Sequence, residues 1–145
     1  MPLTHLLDTS VYSQPIKKTP VAAAMNRWET LGDTSVVTSV ICEAEVLFGI
    51  RNEKRKNLES KIGERYEALL KGKFDLLPVD ASVAEIYAEM RDDLQSRGKK
   101  IAHMDLLIAA TAKANNLTVA TLNVKDFEIV NGITVEDWSQ AETSP

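Results

Sequence analysis

Short apolar segments rich in β-branched residues alternate with longer segments of helical periodicity, and this alternation constrains the fold most strongly. The candidate strands cover residues 3–7, 35–38 and 117–121, with weaker candidates at 74–78 and 133–135. Strands that alternate with helices form a parallel sheet with helices on both faces. We therefore predict one α/β domain over residues 1–138, with a central, mostly parallel sheet, and a polar tail over 139–145.

Helix start and stop signals lie between the candidate strands. Ser39 and Asp80 are predicted N-caps, and Gly98 is predicted to end the helix that Asp80 begins. The final helix is almost wholly apolar or small and should be deeply packed. Residues 11–20 contain two prolines and are expected to form a loop or a broken helix start. The predicted helices cover residues 21–31, 40–50, 53–70, 81–97 and 104–116.

The composition is that of a globular protein that needs no disulfide. The chain has 145 residues, of which 44% are apolar and 26% charged, so it can bury a sizeable core. It shows neither a signal peptide nor an apolar run of membrane-spanning length, and a cytoplasmic protein without a membrane partner is expected. Cys42 lies among apolar neighbours and is expected to be a buried structural thiol.

The charge is negative overall but unevenly distributed. A net charge of −4 argues against a protein that coats nucleic acid, but not against an enzyme that holds metal cations between carboxylates. Between Arg51 and Arg65, six basic residues accompany three acids. On charge alone, this basic stretch is best interpreted as a solvated helix face with ion pairs.

Four acidic residues lie where a parallel sheet would bring them to one edge. Asp8 follows the first strand, Asp126 follows the strand at 117–121, Asp105 lies in the first turn of its helix, and Glu45 lies on the helix after the second strand. Each has an ordinary interpretation as a cap, a first-turn acid, a turn residue or a solvent-facing side chain. Taken singly, these interpretations are at least as good as a functional one.

The combination of acids favours a functional site. Asp8 follows an apolar strand and Asp105 precedes an apolar helix, and an unpaired ionised carboxylate is costly in such places. Crowding raises carboxylate pKa values unless cations are present. Mg²⁺ or Mn²⁺ would relieve the repulsion because both prefer oxygen ligands.

At these residues the chain resembles the PIN-domain family, and within it the VapC-like toxin ribonucleases of type II toxin–antitoxin systems. The order and spacing of the matching segments cover nearly the full chain. These segments are LLDTS at 6–10, TSVICEAEVLFGI at 38–50, HMDLLIAATA at 103–112, TLNVKDF at 121–127 and VEDW at 135–138.

The resemblance implies a metal-dependent endoribonuclease that hydrolyses RNA phosphodiester bonds. It also implies a VapB-like antitoxin whose C-terminal segment occupies the acidic groove, and a homodimer. The basic stretch between Arg51 and Arg65 could then guide the RNA backbone. Nothing in the residues themselves demonstrates these contacts.

The resemblance also assigns roles within the site. Asp8, Asp105 and Asp126 would bind Mg²⁺ or Mn²⁺, and Thr121 and Asn123 would support the site as neighbouring groups or weak ligands. The implied catalytic acids are Asp8, Glu45, Asp105 and Asp126.

Glu43 and the two histidines are further polar residues that lie close in sequence to the four acids. Glu43 lies two residues before Glu45, about 200° around the helix, so both cannot face one site. The family spacing to Gly49 selects Glu45 and leaves the role of Glu43 open. His103 is expected to be a polar residue at a helix start, and His5 a packed or edge residue of the first strand.

Two other classes of function stay open. A non-catalytic PIN-like binding or scaffold protein would keep the acids for structural reasons, although the presence of all four weakens that alternative. A phosphatase or nucleotide-binding domain lacks support, because no glycine-rich phosphate loop follows a predicted strand. Stabilisation by Mn²⁺ in thermal melting would separate a metal site from a scaffold.

Overall fold

Four short parallel strands form the central sheet of the computed structural model, which describes residues 2–141. The sheet has the order β2-β1-β3-β4, so the first strand lies inside it. The strands are β1 (His5–Leu7), β2 (Val36–Val37), β3 (Thr118–Thr121) and β4 (Val135–Asp137). The helices are α1 (Thr9–Tyr12), α2 (Ala22–Leu31), α3 (Val40–Lys56), α4 (Ile62–Leu69), α5 (Ala81–Ser96) and α6 (His103–Ala114).

Helices cover both faces of the sheet. Leu6 and Leu7 are consecutive residues of β1 and both are fully buried, as are Val119 and Ala120 in β3. Because successive side chains of a strand point to opposite faces, burial of both requires packing on each side. The predicted α/β architecture is therefore confirmed, and all of the strand pairings are parallel.

α6 is the most deeply packed helix, as its composition predicts. Its buried residues include three alanines, Ala109, Ala110 and Ala112, whose small side chains let neighbouring elements approach closely. The hydroxyl of Thr111 is also buried and donates to the Leu107 carbonyl oxygen at 2.7 Å. The packing of these residues fixes the position of the N-terminal end of α6, where Asp105 lies.

The predicted charged helix over 53–70 is wrong. α3 continues to Lys56, and α4 begins only at Ile62. Three basic residues in the last turn of α3 interact favourably with the negative end of its dipole, which favours the extension. The chain then turns at Asn57, whose side-chain oxygen accepts a hydrogen bond from the Glu59 amide at 3.1 Å.

Three shorter segments also differ from the prediction. Residues 74–78 form no strand and make a single bridge, between Leu77 and Ser39, because Ser39 is already the cap of α3. The edge strand is β4, which begins two residues later than predicted. Residues 11–20 contain the end of α1 and one 3₁₀ turn, Gln14–Ile16.

Cys42 is the predicted buried thiol. Its sulfur lies 3.5 Å from the Leu7 carbonyl oxygen and 3.4 Å from the Ser39 hydroxyl, and burial raises the pKa of the thiol. Within residues 2–141, no helix combines the length and apolarity needed to cross a membrane. The predicted polar tail over 139–145 falls largely outside the described residues.

We expect Leu6→Ala to lower the free energy of unfolding by about 2–5 kcal/mol, because it opens a cavity beneath the sheet. Leu6 is fully buried, whereas Leu58 is 89% exposed, so Leu58→Ala should change stability by less than about 0.5 kcal/mol. Urea unfolding of the two variants makes the comparison. Equal losses would contradict the assigned core.

Candidate active site

Asp8 lies at the carboxyl end of β1 and is only 5% exposed. Its Oδ1 accepts a hydrogen bond from the Val11 amide at 3.1 Å, so Asp8 is also the N-cap of α1. The ordinary interpretation of Asp8 as a cap is therefore correct, and it is compatible with a role in a site. Burial raises the pKa of this carboxyl group, and the hydrogen bonds it accepts oppose that rise.

Two hydroxyl groups hold the Asp8 carboxylate from either side. Ser10 Oγ donates to Asp8 Oδ1 and Thr121 Oγ1 donates to Asp8 Oδ2, each at 2.6 Å. Each hydroxyl also accepts a backbone hydrogen bond at 2.9 Å, Ser10 from the Leu122 amide and Thr121 from the Asn123 amide. Because an ionised carboxylate and a backbone amide can each play only one part, each hydroxyl accepts from the amide and donates its proton to Asp8. The turn after β3 thereby fixes the orientation of Asp8.

The predicted supporting residues act in different ways. Thr121 is buried and uses its side chain, whereas Asn123 is exposed and contributes its backbone amide. Ser10 is a third supporting residue that the sequence analysis did not single out. The signal available for it was a hydroxyl residue two positions after Asp8, a spacing that is also common in simple turns.

The other three predicted acids come to the same region from separate elements. Glu45 lies on α3, and its Oε1 accepts a hydrogen bond from the Thr9 hydroxyl. Asp105 is half-buried in the first turn of α6, and Asp126 is exposed at the end of a 3₁₀ turn after β3. We call Asp8, Glu45, Asp105 and Asp126 the acidic cluster.

The electrostatics show that these four acids share one region. Burial, followed by the negative charges of Asp126, Glu45 and Asp8, raises the pKa of Asp105 to about 6. Within the described part of the chain, none of the four forms an ion pair with a basic side chain. The structure therefore gathers negative charge at the carboxyl edge of the sheet and leaves it without a protein cation.

Glu43 faces a different neighbourhood from Glu45. Its two carboxylate oxygens accept hydrogen bonds from Tyr12 at 3.3 Å and from Tyr66 at 3.2 Å. Burial and the Glu43 charge raise the pKa of Tyr66 to about 12. Glu43 thus joins α3 to α1 and α4, and the prediction that the two glutamates face different sites is confirmed. No spacing in the sequence connects Glu43 with the two tyrosines.

Both histidines contact groups other than the acidic cluster. His5 Nε2 lies 2.8 Å from Glu136 Oε1, and His103 Nδ1 lies 3.0 Å from the Tyr87 hydroxyl. His103 begins α6, as predicted, and His5 is partly buried in β1. Their contacts support the predicted structural positions over a role as general base.

The structure is an α/β domain with carboxylates gathered at the carboxyl edge of a short parallel sheet, and sequence comparison gives its family. The family model described as PIN domain matches residues 5–133. This chain belongs to the PIN domain family.

Relatives match over almost the whole chain. Toxin FitB of Neisseria gonorrhoeae is 36% identical over 137 residues, covering 92% of this chain and 97% of the relative. The tRNA(fMet)-specific endonuclease VapC of Shigella flexneri is 29% identical over 140 residues, covering 94% and 99%. The solved structure of VapBC2 from Rickettsia felis, bound to a promoter DNA fragment, has 28% identity and a TM-score of 0.80, covering 95% and 99%.

Thr121→Val should lower the free energy of unfolding by about 1–3 kcal/mol, because a buried carboxylate loses a hydrogen-bond donor at nearly constant side-chain volume. Thr121→Ser keeps the hydroxyl and should lose less. Urea unfolding in EDTA measures both. Equal stability of the Val and Ser variants would show that this hydrogen bond does not hold Asp8.

Asp105→Asn should become more stable relative to wild type as pH rises from about 4 to about 6 without divalent metal. The folded protein holds the Asp105 proton up to a pKa of about 6, against 3.8 for an unperturbed aspartic acid, so ionisation of Asp105 costs stability across that window. Allowing for solvent screening of a half-exposed group, the gain should be about 1 kcal/mol. Chemical unfolding at several pH values measures it, with the exposed Asp75→Asn as charge-matched control. A gain that does not depend on pH would contradict crowding of the cluster.

Proposed function

We propose that this protein is a metal-dependent endoribonuclease that hydrolyses RNA phosphodiester bonds and acts as the toxin of a toxin–antitoxin pair. The observation that carries the proposal is the acidic cluster, which has no basic partner among the described residues and lies at the carboxyl edge of a PIN domain. RNA is supported as the substrate by a relative named as a tRNA-specific endonuclease. The expected cytoplasmic location would place the protein in a compartment that contains RNA.

Mg²⁺ or Mn²⁺ suits the cluster because all of its donors are carboxylate oxygens. Burial and then repulsion from the other carboxylates raise the pKa of Asp105, and a bound cation would remove that repulsion. Asp8, Asp105 and Asp126 would bind the ion. When bound, the metal would activate water for in-line attack and stabilise charge on the phosphate.

The protein residues would bind the metal and orient the attacking water, and they differ in how firmly they are held. Asp8 is the rigid acid, because Ser10 and Thr121 fix both of its oxygens. Glu45 is oriented by Thr9 and would orient the attacking water or take its proton. Cys42 is too deeply buried to serve as a nucleophile.

A non-catalytic PIN-like scaffold is the second candidate, and one observation favours it. Among residues 2–141, no three His, Cys, Asp or Glu side chains already converge as ligands around one point. A metal site therefore requires side-chain rotation. The exposed Asp126 and the half-buried Asp105 have the freedom for it, which keeps the nuclease proposal compatible with this geometry.

The proposed antitoxin would cover the acidic cluster. A basic side chain on its C-terminal segment would complement the excess negative charge there. Support comes from solved relatives in toxin–antitoxin complexes, including VapBC2 of Rickettsia felis. A homodimer stays a prediction from the family resemblance.

Asp8→Asn should lower Mn²⁺-dependent cleavage of total RNA by at least about 100-fold, the scale of losing a group that stabilises transition-state charge. Thermal melting with Mn²⁺ supplies a second measurement. Wild type should gain about 2.7 kcal/mol at an Mn²⁺ concentration 100 times the Kd, and Asp8→Asn should gain much less.

Asp75→Asn is the matched control and should behave as wild type in both measurements, because Asp75 is exposed and outside the cluster. Undiminished cleavage by Asp8→Asn would overturn the catalytic assignment. Absence of Mn²⁺ stabilisation in the wild type would favour the scaffold.

A further inference from the structure

A cavity of about 550 Å³ lies between the C-terminal end of α5 and the N-terminal end of α6. Its floor includes the buried side chains of Leu94 and Leu106. Arg91, Lys99 and Lys100 supply its charged lining, and no acidic residue of the described chain lines it. The cavity is therefore a concentrated positive region on a protein of net charge −4.

These three cations are not neutralised by neighbouring acids. Within residues 2–141, neither Arg91 nor the two lysines form an ion pair, whereas nearby Arg97 is held by Asp93 at 2.7 Å. The Arg91 guanidinium donates to the Tyr87 hydroxyl at 3.4 Å, and this contact leaves its charge uncompensated. Like charges around one cavity repel each other, and a bound anion would remove that repulsion.

The cavity adjoins the acidic cluster through one turn of α6. His103 and Leu106 line the cavity, and Asp105 lies between them in sequence. Residues of one helical turn lie within about 5.4 Å along the helix axis. Asp105 lies two residues from His103 and therefore faces another side of α6, so a nucleic acid strand with one phosphate at the acidic cluster would reach the cavity by passing around the N-terminal end of this helix.

We propose that this basic cavity binds the phosphodiester backbone of the RNA substrate beside the position of cleavage. Arg91 is suited to a paired contact with two phosphate oxygens, and Lys99 and Lys100 act as point charges. This proposal rests on the proposed ribonuclease function. It assigns the electrostatic contact with RNA to this cavity and not to the stretch between Arg51 and Arg65.

The stretch between Arg51 and Arg65 is less suited to that role in three dimensions. Arg65 donates to the Ile16 carbonyl oxygen at 2.6 Å, and Lys54 lies against Gly63. Lys56 borders a separate groove that is also lined by Lys17, Glu45 and Glu53, so two basic and two acidic residues balance there.

The test is the salt dependence of RNA binding in EDTA, where cleavage is prevented. Fluorescence anisotropy with a short single-stranded RNA would be measured over a series of KCl concentrations. Each phosphate contact contributes about 0.7 to the slope of log K against log salt, so Lys99→Ala/Lys100→Ala should lower the slope by about 1.4 and Arg91→Ala by about 0.7. Lys54→Ala/Arg55→Ala removes the same charge as the double-lysine variant, at exposed positions, and should keep the wild-type slope.

Equal slopes for wild type and the cavity variants, or an equal loss in the control, would overturn the proposal. A cavity variant that keeps its RNA slope but loses binding to poly-glutamate would assign the cavity to an acidic protein segment and also overturn it. Mn²⁺-dependent cleavage by wild type is scored separately. Altered slopes without cleavage would support the cavity as an RNA site and contradict the proposed catalytic function.

Discussion

The buried carboxylate of Asp8 is the point on which both the fold and the site depend. It caps α1, and it joins β1 to the turn after β3 through Ser10 and Thr121. A charged group in such a place is tolerated only when its oxygens are hydrogen-bonded. The hydrogen bonds that stabilise Asp8 also hold it in one orientation, so one set of contacts serves both stability and the proposed chemistry.

Asp33 and Glu136, two acids outside the cluster, have the opposite electrostatic environment. Burial alone would raise the pKa of Asp33, but hydrogen bonds from Lys73 and Trp28 lower it. Burial would likewise raise that of Glu136, and Trp138, His5 and Arg27 lower it. In the acidic cluster the balance is reversed: burial raises the pKa of Asp8, and burial with crowding raises that of Asp105. Uncompensated carboxylates are destabilising, and their concentration at one sheet edge is what a cation-binding role would explain.

Much of the fold and of the cluster could be predicted because both follow from where elements begin and end. Asp8 and Asp105 stand at the end of a strand and the start of a helix, and parallel strands bring such positions to one edge. The break between α3 and α4 was missed, because charged residues fit a helical pattern on both sides of Asn57. The partners of Glu43 were missed for a different reason, since tyrosines 31 and 23 residues away meet it only through tertiary packing.

The proposed RNA-binding cations, like the partners of Glu43, could not be identified from the sequence alone. Density along the chain draws attention to the stretch between Arg51 and Arg65, but binding also depends on which cations line one cavity without acids beside them. Arg91, Lys99 and Lys100 come from a helix and the loop after it, and the cavity that they line forms where α5 packs against α6. An acidic protein can in this way present one basic cavity beside a cluster that would bind metal cations. Both regions would then attract phosphate, although the net charge of the chain would repel it.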